Sequence, residues 1–204
     1  MDRIPSAKEQ KHINMFKQLG LFVHVNPEKL EGIGKGVIVA LCADGDQFID
    51  AHGHIASLCN KNVPRCIHTL ALNGGALLMS NGNGSLMGDE EKEDGNVLFK
   101  HILKASKIKQ VENVFLYSHY PCAVAISNRL SVLDQCLHLM DAKQRLKSTD
   151  PRFRVSCFFH VHEEEQGESK RRTYFLPKEM WENQENYMPV LHDFQAGFGS
   201  PYRS

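Results

Sequence analysis

Two short apolar runs in this sequence each lead directly into side chains that bind soft metal ions. Residues 37–41 are followed by Cys42, and residues 114–117 are followed, after one serine, by His119 and Cys122. Continuous apolar runs of this length are typical of strands that are buried on both faces of a parallel sheet. Because the carboxyl ends of neighbouring parallel strands lie at the same edge of a sheet, the pattern predicts that these three side chains meet there.

The rest of the chain alternates between strand and helix patterns. Further strands are predicted at 65–72, 154–162 and 173–176. Apolar residues at helical spacing predict helices at 6–19, 46–59, 96–108 and 126–140. This alternation predicts an α/β fold with a mainly parallel sheet and helices on both faces. Cys42 and His119 can meet only if the first and third strands are neighbours, as in the order 2-1-3-4, which leaves room for an antiparallel edge strand.

One segment shows no apolar period. Residues 79–95 are polar and rich in glycine, and they are predicted to form a long surface loop. The acidic run at 89–94 is expected to lead into a helix N-terminus, where the helix dipole favours negative charge.

Composition narrows the class of protein. A chain of 204 residues predicts one domain, 1–204, with an N-terminal helical arm at 1–34 and a C-terminal extension at 177–204. The 24 Lys and Arg residues balance 24 Asp and Glu residues, so neither nucleic acid nor a membrane is expected as a partner. No apolar stretch approaches the roughly 18 residues of a membrane span, and the first residues lack the apolar core of a secretory signal. The six cysteines lie scattered in apolar patterns, which favours reduced thiols and a cytoplasmic location.

The side chains at the two strand ends are those that zinc prefers. Thiolate and imidazole are its usual protein ligands, and carboxylate is a further option. Cys42, His119 and Cys122 therefore supply three candidate ligands, and Asp44 is a candidate fourth. The competing interpretation is that these are ordinary core residues, since unpaired cysteine is among the residue types most often buried.

Four other histidines invite a metal interpretation. His52 falls on the apolar face predicted for its helix and His54 falls off it, so a core or surface role is expected for both. His160 and His162 share one face of a strand and precede three glutamates. They suggest a second metal site, although a solvated strand end is the simpler interpretation.

At these residues the chain resembles the β-class carbonic anhydrases. That family carries Cys-x-Asp-x-Arg after its first strand and His-x-x-Cys after its third, and the counterparts here are residues 42–46 and 119–122. Asn73, Gly74 and Gly75 look like the family's Asn-Ala-Gly element. The resemblance covers residues 35–176. It implies a zinc lyase, a carbonate dehydratase, in which a zinc-bound hydroxide converts carbon dioxide reversibly to bicarbonate.

The resemblance also implies roles for particular residues. Asp44 would be the catalytic carboxylate that orients the hydroxide. A homodimer would form in which the N-terminal helix, near residues 13–19, packs across the partner, although the same helix could equally cover its own sheet.

The chain departs from the family at one functional position. The Arg that pairs with the motif's Asp is Asp46 here, and Ala123 stands where a Gly usually follows the second Cys. Asp44 is then able to turn and take the fourth zinc position, unless Arg65 or Arg129 replaces the family Arg. Two hypotheses follow: an active zinc hydratase, or a catalytically silent relative that keeps zinc for stability and acts as a binding or regulatory module.

Overall fold

The computed structural model describes residues 7–25, 36–58, 67–81, 88–165 and 168–182. Its α-helices are Ala7–Gln18 (α1), Gly45–Leu58 (α2), Asp89–Lys109 (α3), Ala123–Ser127 (α4), Val132–Thr149 (α5) and Lys178–Glu182 (α6). Its strands are Val37–Cys42 (β1), Ile67–Leu72 (β2), Asn113–Tyr120 (β3), Arg154–Glu165 (β4) and Glu168–Phe175 (β5). A 3₁₀ helix, Gly75–Met79, follows β2.

The strands form one sheet in the order β2-β1-β3-β4-β5. β1 pairs in parallel with β2 and β3, and β3 pairs in parallel with β4. β5 returns antiparallel to β4 at the edge. This order confirms the predicted α/β fold and the 2-1-3-4 arrangement with an antiparallel edge strand, and it places the carboxyl ends of β1 and β3 side by side.

The two central strands are buried along their whole length. Successive residues of β1 point to opposite faces, so Ile38 and Ala40 lie in the larger apolar cluster while Val37 and Val39 lie in the smaller one. α2 covers the smaller cluster with Ala51, Ile55 and Leu58. Burial on both faces explains why β1 is a continuous apolar run rather than an alternating one.

The predicted surface loop at 79–95 is wrong over its second half. α3 begins at Asp89, so the acidic run forms the first turns of the helix, where the N-terminal dipole favours it. Gly95 lies inside this helix, and a Cβ there would come within 1.8 Å of the Leu78 carbonyl oxygen. The glycine therefore allows a close helix contact and does not mark a loop. Residues 82–87 lie outside the described part of the chain.

The single helix predicted at 126–140 is two helices. The backbone turns at Arg129, which has a positive φ of 57°, and α5 begins after Ser131. The Ser131 hydroxyl accepts a hydrogen bond from the Asp134 amide at 3.1 Å, and the Asp134 carboxylate accepts one from the Ser131 amide at 2.8 Å. This capping box starts a new helix inside an uninterrupted apolar pattern.

The N-terminal helix packs on its own chain. Ile13 and Phe16 are fully buried in the larger cluster, and the Phe16 ring meets the Trp181 ring edge-on at 6.0 Å. α1 ends at Gln18, and Gly20 follows it with a φ of 71°. Residue 6, the predicted start of this helix, lies outside the described residues. Within the described ranges, none of the helices combines the length and the apolar character needed to cross a membrane.

Candidate metal centre

Cys42, His119 and Cys122 come together at the carboxyl ends of β1 and β3. Each offers a ligand atom, either a sulfur or an imidazole nitrogen, and these atoms all lie within 4.8 Å of one another. All three residues are buried. Cys42 is the last residue of β1, His119 lies one residue before the end of β3, and Cys122 directly precedes α4. We call this group the thiol cluster; it is the candidate metal site that the strand ends predicted.

The Cys42 sulfur is surrounded by hydrogen-bond donors. The Cys122 thiol donates to it and holds the pKa of Cys42 well below its usual range, although burial opposes this shift; the His119 imidazole and the Asp44 backbone amide lower the pKa further. The Gly74 amide also donates to this sulfur at 3.2 Å.

Two glycines allow this close approach to β1. Gly74 has a φ of 89°, in the left-handed region, and a Cβ on Gly75 would lie 2.4 Å from the Cys42 amide nitrogen. The Asn73-Gly74-Gly75 segment therefore acts through its backbone: the Gly74 amide lies against the Cys42 sulfur, which would carry negative charge.

The Cys122 sulfur has the opposite pKa shift. Its hydrogen bond to Cys42, its burial and the negative charge of the Cys42 thiolate raise the pKa of Cys122 above its usual range. The amides of Ala125 and Val124, at the start of α4, point at this sulfur and partly offset the effect. The two sulfurs thus share one proton, and a bound cation would take the place of that proton.

His119 supplies the clearest sign that a cation belongs here. Both of its ring nitrogens are buried, and neither makes a hydrogen bond of ordinary geometry to another described residue. Buried polar atoms are rarely left in this state, because their lost hydration is not repaid. An imidazole beside two thiols, one of them readily ionised, is a donor set that fits zinc.

The two aspartates of the first motif lie just beyond β1. The Asp44 carbonyl accepts the Phe48 amide at 2.8 Å and so starts α2, and the residue is partly exposed. Its carboxylate is not among the atoms grouped within 4.8 Å, so its role as ligand or catalytic residue stays a prediction. Asp46 lies in the first turn of α2, and its side chain is outside the described part of the structure.

The structure describes one of the two candidate substitutes for the family Arg. Arg129 is exposed at the turn between α4 and α5. Arg65 lies outside the described residues.

A small cavity opens beside the thiol cluster. It has a volume of about 10 Å³ and touches Cys42 and His119, with Leu41 and Ala51 as apolar walls and His160 at its far side. A volume of this size holds about one water molecule.

A second group of candidate ligands adjoins this cavity. Asp50, His160 and His162 each offer an atom within 4.8 Å of the others, and we call them the imidazole cluster. His160 and His162 are only 3% and 2% exposed, so the solvated strand end expected for them is wrong. Asp50 was missed by sequence reasoning, since nothing in α2 singles it out from the helix's other polar residues.

His54 and His52 make their contacts outside both clusters. The His54 Nδ1 lies 3.0 Å from the Tyr117 hydroxyl, so this side chain faces the sheet, although helical spacing put it off the apolar face. Burial lowers the pKa of His54 to about 4. His52 stacks on Phe48 with ring centroids 6.0 Å apart. Neither residue belongs to a metal-binding group among the described residues.

Comparisons with known proteins leave the family open. The sequence matches no protein-family model. It matches no curated protein either. Among solved structures, a carbonic anhydrase from Streptococcus mutans is similar over 82% of this chain and 99% of its own, with 10% sequence identity and a TM-score of 0.37. A likeness this distant carries no argument about ligand or activity.

Proposed function

We propose that the protein is a zinc metalloprotein of the β-carbonic anhydrase type that reversibly hydrates carbon dioxide to bicarbonate. The observation that carries the proposal is the thiol cluster: two buried sulfurs and a buried imidazole converge from the ends of two parallel strands. The proposal draws on the resemblance of residues 42–46 and 119–122 to that family's motifs, so it rests on the site and not on overall similarity.

The chain's own groups suit the charge of such a site. Two thiolates bring two negative charges into a buried place, and the amides of Gly74, Asp44, Val124 and Ala125 point at the sulfurs that carry them. Charge-assisted hydrogen bonds of this kind fix sulfur positions and offset desolvation. His119 completes a set of three protein ligands.

The chemistry follows from three ligands and an open fourth position. Zinc bound in this way lowers the pKa of a water molecule to about 7 and so supplies a nucleophile at neutral pH. Leu41 and Ala51 would keep bulk water away. In this proposal the Asp44 carboxylate accepts a hydrogen bond from the nucleophile and orients it.

One pair of observations favours a second candidate, a catalytically silent zinc protein that acts as a binding or regulatory module. The cavity beside Cys42 has room for about one water molecule and not for a substrate as well. Asp46 also replaces the family Arg that would orient Asp44. If Asp44 takes the fourth zinc position, the site is closed and structural.

Zinc analysis combined with stopped-flow hydration of carbon dioxide on the purified full chain tests both candidates. Zinc together with turnover supports the hydratase. Zinc without turnover supports the silent protein. Protein that gains neither zinc nor stability when zinc is added contradicts both.

We also infer a cytoplasmic homodimer: the scattered cysteines favour the cytoplasm, and the resemblance to the family implies the dimer. Because Ile13 and Phe16 are already buried within the chain, α1 can contribute only its other faces to a partner. Sedimentation across micromolar concentrations should show a dimer, and a monomer throughout that range would contradict the inference.

A further inference from the structure

We propose that Asp50, His160 and His162 form a second metal site, which binds a divalent first-row cation such as zinc independently of the thiol cluster. Two imidazoles and one carboxylate are a recurrent ligand set for such ions, with positions left open for water. The proposal does not depend on the carbonic anhydrase activity proposed above.

The distances are close to those of a bound site. The Nε2 atoms of His160 and His162 lie 3.8 and 3.9 Å from Oδ2 of Asp50. Ligand atoms held about 2.0–2.1 Å from zinc at a tetrahedral angle lie about 3.3 Å apart. A shift of the Asp50 carboxylate by about 0.5 Å closes the difference. This side chain is free to move because it is 26% exposed, while the imidazoles are fixed in β4.

The ring of His160 is held with a nitrogen directed at the site. Its Nδ1 lies 2.8 Å from the Thr173 hydroxyl, and its Nε2 is buried without a hydrogen-bond partner among the described residues. A histidine that donates Nδ1–H to a neighbour presents its Nε2 lone pair to a metal. An unpaired buried nitrogen beside a carboxylate is what a cation would satisfy.

Gln47 provides the same support for His162. Its Nε2 lies 3.5 Å from His162 Nδ1, and its Oε1 is buried with no hydrogen-bond partner in the described chain. Turning the amide by half a rotation places Oε1 where it accepts a hydrogen bond from Nδ1–H, and the two orientations differ little in shape. His162 would then also present Nε2 to the site.

Arg171 limits the affinity of the site. Its guanidinium contacts Asp50 Oδ2 at 2.6 Å and is itself partly exposed. This contact orients the carboxylate but places a positive charge beside the expected cation. The second ion should therefore bind more weakly than the first, and Arg171→Gln should bind it at least tenfold more tightly.

The experiment is a metal titration of the full chain after removal of metal with a chelator. Zinc uptake is measured by equilibrium dialysis, and cobalt(II) is added in parallel because only cobalt bound to thiolate gives intense charge-transfer absorption in the near ultraviolet. We expect two ions per chain, of which one gives this absorption. Asp50→Asn and His162→Gln should each weaken binding of the ion at the imidazole cluster at least tenfold and leave the charge-transfer signal unchanged. The matched variant His54→Gln should keep both ions.

Two results would overturn the proposal. One is a single cobalt ion per chain, with charge-transfer absorption, when cobalt is in tenfold excess. The other is a second ion that binds equally well to wild type, Asp50→Asn and His162→Gln. Absence of the charge-transfer signal alone, with an ion that Asp50→Asn removes, would contradict the proposed function and leave this site standing.

Discussion

The thiol cluster and the imidazole cluster lie at the same end of the sheet, yet the fold holds them by different means. His119 and His160 are partners in the register of β3 and β4, and both border one small cavity. Backbone amides hold the sulfurs of the thiol cluster. Side chains hold the imidazole cluster: Thr173 and Gln47 lie against its two histidines, and Arg171 contacts the Asp50 carboxylate.

This difference determines how each cluster responds to mutation. An amide that points at a sulfur stays in place whatever side chain its residue carries, provided that the backbone keeps its path. Gly74 and Gly75 protect that path next to Cys42. The side chains that support the imidazole cluster can be removed one at a time, so single substitutions should change its metal affinity in steps. In the thiol cluster a substitution should either leave metal binding intact or abolish it.

The largest effect is expected from a substitution that removes a ligand of the thiol cluster. Cys42→Ser should lose zinc from this cluster and with it the stabilisation that zinc provides, about 4 kcal/mol when free zinc is about 1,000-fold above its dissociation constant. Chemical unfolding with and without added zinc, together with metal analysis, measures this. Cys136→Ser changes a cysteine of the same core outside the cluster and should keep the metal. Equal stabilisation of wild type and Cys42→Ser by zinc would show that the cluster does not bind it.

A smaller effect is the pH dependence of stability that comes from His54, a histidine that belongs to neither cluster. Burial lowers the pKa of His54 to about 4, whereas an unfolded histidine has a pKa of about 6.5. The unfolded chain therefore binds more protons between these values, so the contribution of His54 is complete above about pH 6.5 and is lost as the pH falls toward 4. After allowance for partial exposure it amounts to about 2 kcal/mol.

Urea unfolding of the metal-free protein between about pH 7 and pH 4 measures this slope. His54→Gln can keep a hydrogen bond to the Tyr117 hydroxyl and should flatten the slope. A slope that the substitution leaves unchanged would assign the acid sensitivity to other buried groups, the imidazole cluster first among them.

The smallest effect is expected from substitutions that test whether the fourth zinc position of the thiol cluster is open or is taken by Asp44. If Asp44 takes the fourth zinc position, Asp46→Arg should supply a planar guanidinium that pairs with that carboxylate, open the site and raise hydration activity roughly tenfold. Asp46→Lys is the matched control and should recover less, because an ammonium group cannot pair in this bidentate way. Asp44→Ala should open the site but leave the nucleophile without its orienting carboxylate.

Stopped-flow hydration assays at neutral pH compare these variants. High activity of the wild type at pH 7, together with its loss in Asp46→Arg, would refute the reasoning and show that another group replaces the family Arg.

Local sequence signals did not fix the helix boundaries. The apolar residues from Ile126 to Met140 keep helical spacing throughout, yet the capping box of Ser131 and Asp134 divides them, since apolar spacing says nothing about capping. Gly95 is predicted to lie in a loop because the local sequence does not show its contact with the Leu78 backbone, which lies 17 residues earlier in the chain.

The sequence by itself determined the sheet and the thiol cluster. Continuous apolar runs are typical of strands buried on both faces, and once the first and third strands are neighbours, their parallel direction brings Cys42 and His119 to one edge. Only the tertiary structure decided what surrounds that edge. Asp50 reaches His160 and His162 because α2 lies across the sheet with that residue turned toward β4, and helix rotation is set by core packing around Ala51 and Ile55, which a single helix sequence does not encode.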